Sequence, residues 1–234
     1  KYFFIYSLGD IKDEIKKILV EANSALNKKD YRHTLKMLEK AQEEIPSELK
    51  ISYLNIGIKL VAFRIYFEKY KDYYKAEKIL DDLNEMTLNE KNKQLFDLSK
   101  SARSEKLCID INGLLAYFNE KQNRITSNYK FPIIHLKSHI YYLLGLTYLK
   151  MGKNENALEC FKEVILKYGK YYGYRNHFED TYYSTVIFSL LFDKLPVSLA
   201  YDFLKKEILP EYVLNSLDKE DKNYLYYILG KLEE

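Results

Sequence analysis

His135 and His139 stand four residues apart, a spacing that sets two imidazoles on one face of a helix, where they could hold a metal ion. Zinc needs a third and usually a fourth ligand, and neither an HExxH run nor a neighbouring cysteine pair accompanies them. The two read instead as an exposed or packed pair, His33 and His177 stand alone, and no metal or cofactor is expected. Cys160 precedes Phe161 on an expected packing helix and reads as a small buried thiol, as does Cys108; a catalytic cysteine would need a polarising partner. The carboxylate pairs Glu43-Glu44 and Asp81-Asp82 fit solvated helix ends. A phosphate loop, a GxGxxG after a strand and a GxSxG elbow are all missing, so no catalytic residue is assigned and no enzymatic activity is expected.

One segment interleaves rings and cations. KYGKYYGYRNHF, residues 167–178, carries Tyr171, Tyr172, Tyr174 and Arg175, which suit stacking on bases with phosphates held nearby. The competing reading is a connection whose tyrosines pack on adjacent helices. With 37 basic against 34 acidic residues, a net charge of +3, the packing reading is favoured and direct nucleic-acid contact is not expected. The 24 tyrosines likewise read mainly as packing residues.

The elements that must position any such groups are helical. Only 4 prolines and 8 glycines punctuate 234 residues, and no two-residue alternation with regular turns appears. An apolar share of 47% beside 30% charged residues suits a folded chain. Lys and Glu interrupt every apolar run before it could span a membrane, so no membrane partner is expected. Two distant cysteines suit a reduced, cytoplasmic setting. The opening KYFFIYSLGDIKDE has no initiating Met and no signal-peptide layout, and reads as the cut edge of a larger protein.

A repeated grid runs through these helices. Tyr141, Leu144, Gly145 and Tyr148 recur at three and four residues and share one face; Gly152 ends that helix, Asn154 or a neighbour caps the next, and Ala157 and Phe161 follow. Gly145 would let a neighbouring helix approach closely, with Phe161 filling the space beside Ala157. The N-terminal copy uses Ile18, Ala22 and Ala25, a turn at 27–30, then Thr34, Leu38 and Ala41, with Pro46 closing it. A second uses Leu60, Phe63 and Phe67, a turn near Lys71-Asp72, then Ala76, Leu80 and Leu83, with Arg64 at the small-residue position. A degenerate last copy uses Leu191, Ala200 and Leu204, with Pro196 opening its second helix.

This grid resembles the tetratricopeptide repeat, W-x2-L-G-x2-Y then A-x3-F, with Tyr141 standing where Trp is preferred. The resemblance implies an all-α fold, a right-handed α-solenoid of antiparallel helix pairs. Residues 1–90 would hold the N-terminal repeats, 91–131 an irregular helical connection, and 132–234 the C-terminal repeats and a capping helix, in one continuous solenoid. Within 91–131, Leu107, Ile111, Leu114, Leu115 and Phe118 form a helical stripe, compatible with one long helix or a loosely turned pair. The polar run from Gln122 to Asn128 is a loop candidate, with Phe131-Pro132 starting the next helix, and Tyr172–Asp180 is an insertion relative to the repeat period. Asp218 to Leu232 reads as the cap, amphipathic through Leu225, Ile228, Leu229 and Leu232.

Such repeats expose a concave groove lined by their first helices, suited to a peptide or protein partner. Taken opposite the packing stripe, that groove would be lined by Lys16, Leu19, Asn23 and Leu26, by Val61, Ile65 and Glu68, and by His139, Tyr142, Leu146 and Leu149. Some members of the family grip a terminal carboxylate with a Lys/Asn/Arg cluster; only Asn23 matches such a position, so that mode is not expected here. KYFF followed by an amphipathic helix is similar to the junction between helix-turn-helix domains and repeats in bacterial regulators of the peptide-pheromone receptor type. That likeness implies a sensor and dimerisation role and a homodimer. A general interaction adaptor is the alternative, ahead of a single-stranded nucleic-acid binder using residues 167–178.

Overall fold

The computed structural model describes residues 2–45, 53–88, 106–108, 130–132, 136–168, 178–210 and 219–234. Pro46, His135, His177, Tyr171, Tyr172, Tyr174, Arg175 and most of 91–131 fall outside these ranges. The chain divides into two compact units, Lys1–Leu136 and Lys137–Glu234, each with its own apolar core.

The first unit holds α1 (Tyr2–Asn27), α2 (Tyr31–Glu43), α3 (Tyr53–Arg64, continuing as a π-helical turn Ile65–Tyr70) and α4 (Tyr73–Leu88). Helix α1 packs along α2, α2 against α3, and α3 against α4. Side chains recurring at three and four residues face one another across these pairs, which is why the repeat positions are the core. Ile18, Ala22, Ala25, Thr34, Leu38 and Ala41 are buried in the first pair, and Leu60, Phe63, Ala76, Leu80 and Leu83 in the second. Arg64, at a position that favours a small residue, is half-buried and reaches out to Glu68 at 3.3 Å.

Three of the turns between paired helices pass one residue through the left-handed region: Lys29 (φ 62°), Lys71 (φ 54°) and, in the second unit, Gly152 (φ 74°). In the first turn Asp30 caps α2. Its carboxylate accepts the His33 N–H at 3.0 Å, while the buried Thr34 hydroxyl donates to the Asp30 carbonyl at 2.8 Å. Asp30→Ala removes an acceptor from a helix start and is expected to cost about 1 kcal/mol, with Asp30→Asn near neutral. Urea midpoints measure this; an unchanged midpoint in the Ala variant would show that the cap contributes nothing.

The 91–131 reading requires a correction. Lys106–Cys108 (β1) and Lys130–Pro132 (β2) form an antiparallel pair, with Leu107 opposite Phe131, and β1 lies alongside α3. Phe131-Pro132 therefore does not start a helix; the next helix begins at Leu136. Proline biases the preceding residue toward extended backbone and supplies no N–H, so this dipeptide suits the end of a short edge strand.

The second unit holds α5 (Leu136–Lys150), α6 (Asn154–Lys162, continuing as a π-helical turn Glu163–Tyr168), α7 (Phe178–Lys194), α8 (Val197–Asp202, continuing as a π-helical turn Phe203–Ile208) and α9 (Lys219–Glu233). Ala157, Phe161, Leu191, Ala200 and Leu204 are buried in one cluster. Leu225, Ile228, Leu229 and Leu232 of α9 join it, against α7 and α8. The residue before α6 is Lys153, which makes no side-chain cap bond, so Asn154 is not a cap; the Lys153 amine lies 5.4 Å from the Tyr148 ring centre instead. Pro196 occupies the position before α8, where its missing N–H leaves no bond unmade.

Candidate functional site: the first-helix faces and a neighbouring cleft

The expected groove residues divide by burial. On α1, Lys16, Asn23 and Leu26 are half-buried, while Leu19 is sealed in the core. Val20 on the same helix is an exposed apolar side chain, 52% accessible. On α3, Val61 and Ile65 are also core residues, and only Glu68 faces water, paired with Arg64 and with Lys69 at 3.6 Å. Leu19, Val61 and Ile65 are therefore withdrawn from the groove. The reason is geometric: α3 contacts both its partner α4 and the preceding α2, so two stripes of the helix are buried rather than one. Taking the face opposite a single packing stripe overlooks the second.

On α5 all four expected residues keep part of their surface in water. Tyr142 lies with its ring centre 6.4 Å from that of Phe161, and Leu146 and Leu149 rest against the core of the second unit. His139 is half-buried, and desolvation lowers its pKa from 6.5 to about 4, so at neutral pH the ring is uncharged. Among the described residues no group of three or more His, Cys, Asp or Glu could hold a metal ion, and no helix is long and apolar enough to cross a membrane.

The helix crossing beneath these residues is tight. A methyl group added at Gly145 would lie 2.3 Å from Cε1 and 2.7 Å from Cδ1 of Phe161, whose side chain is sealed in the core. Leu144 and Ala157 close the crossing, and the buried Thr147 hydroxyl donates to the Leu143 carbonyl at 2.8 Å. A glycine facing a large ring, a small residue four before it, and aromatic rings along one helix face together specify one type of helix pair. Residues 138–166 match the tetratricopeptide repeat. The repeat spans α5, the Gly152 turn, α6 and the start of its π-helical turn, and Tyr141 takes the place of the preferred Trp. The first unit follows the same layout of paired helices, so the fold is all-α and tetratricopeptide-like apart from the two short strands. No curated protein and no solved structure matches the chain. A tetratricopeptide repeat points to protein partners, because its exposed first-helix face offers contact area rather than a reactive centre.

Apart from the first-helix faces, an open cleft of about 530 Å³ lies in the first unit between α2 and the junction of α3 with α4. Arg32, Leu35, Lys36 and Glu39 enter it from one face of α2, and Tyr66 and Tyr70 from the π-helical turn. Tyr70 is 47% accessible and meets Tyr31 edge-on at 6.3 Å. Burial raises the Tyr66 pKa, Lys75 opposes this, and Glu39 and Asp72 reinforce it, so the phenol keeps its proton. Sequence reasoning missed this cleft. Its one legible signal was the 32, 35, 36, 39 spacing on α2; the tyrosines arrive from residues some thirty positions on.

Proposed function

We propose that this chain is a non-catalytic scaffold that takes a peptide or protein along the first helices of its repeats, as the sensor and dimerisation part of a bacterial transcription regulator. The observation that carries the binding half is the repeat at 138–166, on whose first helix Tyr142, Leu146 and Leu149 remain partly solvated. Lys16, Val20 and Asn23 continue the reading on α1 of the first unit. In this reading the helix pairs continue as a right-handed solenoid and α9 closes its end. The regulator half rests on the KYFF junction and the amphipathic helix that follows it.

Groove residues that carry packing are poor test positions, because their loss would unfold the site. Lys16→Glu with Val20→Glu changes the partly solvated face of α1 while leaving sealed core positions intact. The variant is expected to lower the affinity of a co-purified partner at least tenfold, about 1.4 kcal/mol, with little change in melting temperature. Retention of the partner by this variant rejects groove binding. A coding sequence upstream of Lys1 without a helix-turn-helix domain rejects the regulator half alone.

A further inference from the structure

We propose that the cleft between α2 and the α3–α4 junction is a second binding site, one that takes a short acidic peptide segment bearing an aromatic side chain. It stands apart from the first-helix groove, since its principal wall is the second helix of the first pair.

Charge selects the ligand. Arg32 and Lys36 are four apart on α2, stacked on one face, and both are exposed. Among the described residues neither makes an ion pair or a side-chain hydrogen bond. Like charges at this spacing repel one another on the helix surface, a repulsion that an anion lying between them relieves. The third cation is already occupied: Lys75 pairs with Asp72 at 3.3 Å and lies 5.2 Å from the Tyr66 ring centre. Asp72 in turn accepts the Lys75 N–H at 3.2 Å, fixing the start of α4. Arg32 and Lys36 thus face the cleft with Glu39 as the one uncommitted acid among its lining residues, leaving a surplus of positive charge.

Shape and polarity favour a peptide over a bare anion. Leu35 supplies an apolar edge and Tyr66 and Tyr70 an aromatic wall, on which a ring can stack. Glu39 stands one helical turn beyond Lys36, where it repels a compact dianion and can accept backbone N–H groups of an extended segment. A volume of about 530 Å³ accommodates two or three residues. A carboxylate held by the fork of Arg32, with an adjacent ring against Tyr70, uses each feature of the cleft.

The test is fluorescence polarisation of the full chain with a labelled peptide, Asp-Glu-Phe-Asp-Glu. Saturable binding is expected, weakened more than tenfold by Arg32→Glu with Lys36→Glu and several-fold by Tyr70→Ala. Lys16→Glu with Val20→Glu should leave it unchanged, which separates this site from the groove. Circular dichroism checks that the exposed-site variants stay folded. Equal binding of Lys-Lys-Phe-Lys-Lys, or binding insensitive to the Arg32 and Lys36 substitutions, overturns the proposal. So does displacement of the peptide by inorganic phosphate at equal concentration, which would identify a simple anion site.

Discussion

Phe161→Ala is expected to destabilise the second unit by about 3–5 kcal/mol, the range for removing a fully buried ring from a core that cannot close over the gap. For a chain of this size that corresponds to a fall in melting temperature on the order of 10 °C. The ring has no accessible surface and is packed against Gly145, Tyr142 and the core that α7, α8 and α9 share. Gly145→Ala tests the same contact from the other side. Alanine favours the helix by about 1 kcal/mol over glycine. Its methyl, however, would sit 2.3 Å from a ring carbon that is closed in, and overpacking of this kind costs about 1–3 kcal/mol. The clash wins, and the single variant should lose stability. In the double variant the new methyl enters the space the ring vacated, so the loss should fall short of the sum of the two singles by at least about 1 kcal/mol. Additive losses in urea melts would mean that Gly145 and Phe161 are not coupled and that the crossing is not the tight contact described.

The second large effect is acid sensitivity through His139. Its folded pKa is about 4, depressed by desolvation from 6.5. Between these values the unfolded chain binds the proton and the folded chain does not, so stability falls as pH drops through this window and levels off below about 4. The whole shift is worth roughly 3 kcal/mol at about 1.4 kcal/mol per unit. His139 keeps part of its surface in water, which brings the expected loss between neutral pH and the lower end of the window to about 2 kcal/mol. Carboxylates titrate over part of the same range, so the comparison is with His139→Gln, which cannot take up the proton. Wild-type stability should fall more steeply with acid than that of His139→Gln, and parallel profiles would show that the imidazole is not desolvated. In the proposed groove, this position would offer a partner an uncharged ring at neutral pH.

The contrast between the two halves of the fold follows from how far apart in sequence the deciding contacts lie. The paired helices are local objects. Recurrence at three and four residues, the turn residues Asn27–Asp30, Lys71-Asp72 and Gly152, and the small-large pair Ala157 and Phe161 can each be read within one repeat, and the core residues follow from them. The pairing of Leu107 with Phe131 joins segments 24 residues apart, and no local periodicity announces it. Leu107 fits a helical stripe equally well, and only its strand partner decides otherwise.

The candidate site was less legible for the same reason. By itself the sequence determined the repeat, its helix boundaries to within a few residues, and the inward faces of α1, α2, α4, α6 and α9, because those faces are set by chain-local periodicity. The tertiary structure decided which outward faces stay outward. Val61 and Ile65 lie opposite one packing stripe yet are buried by a second helix, and Leu19 is sealed in the core, while Val20 is left in water. It also decided that Arg32 and Lys36 share a cleft with Tyr66 and Tyr70, since a surface built from three helices exists only once those helices have packed.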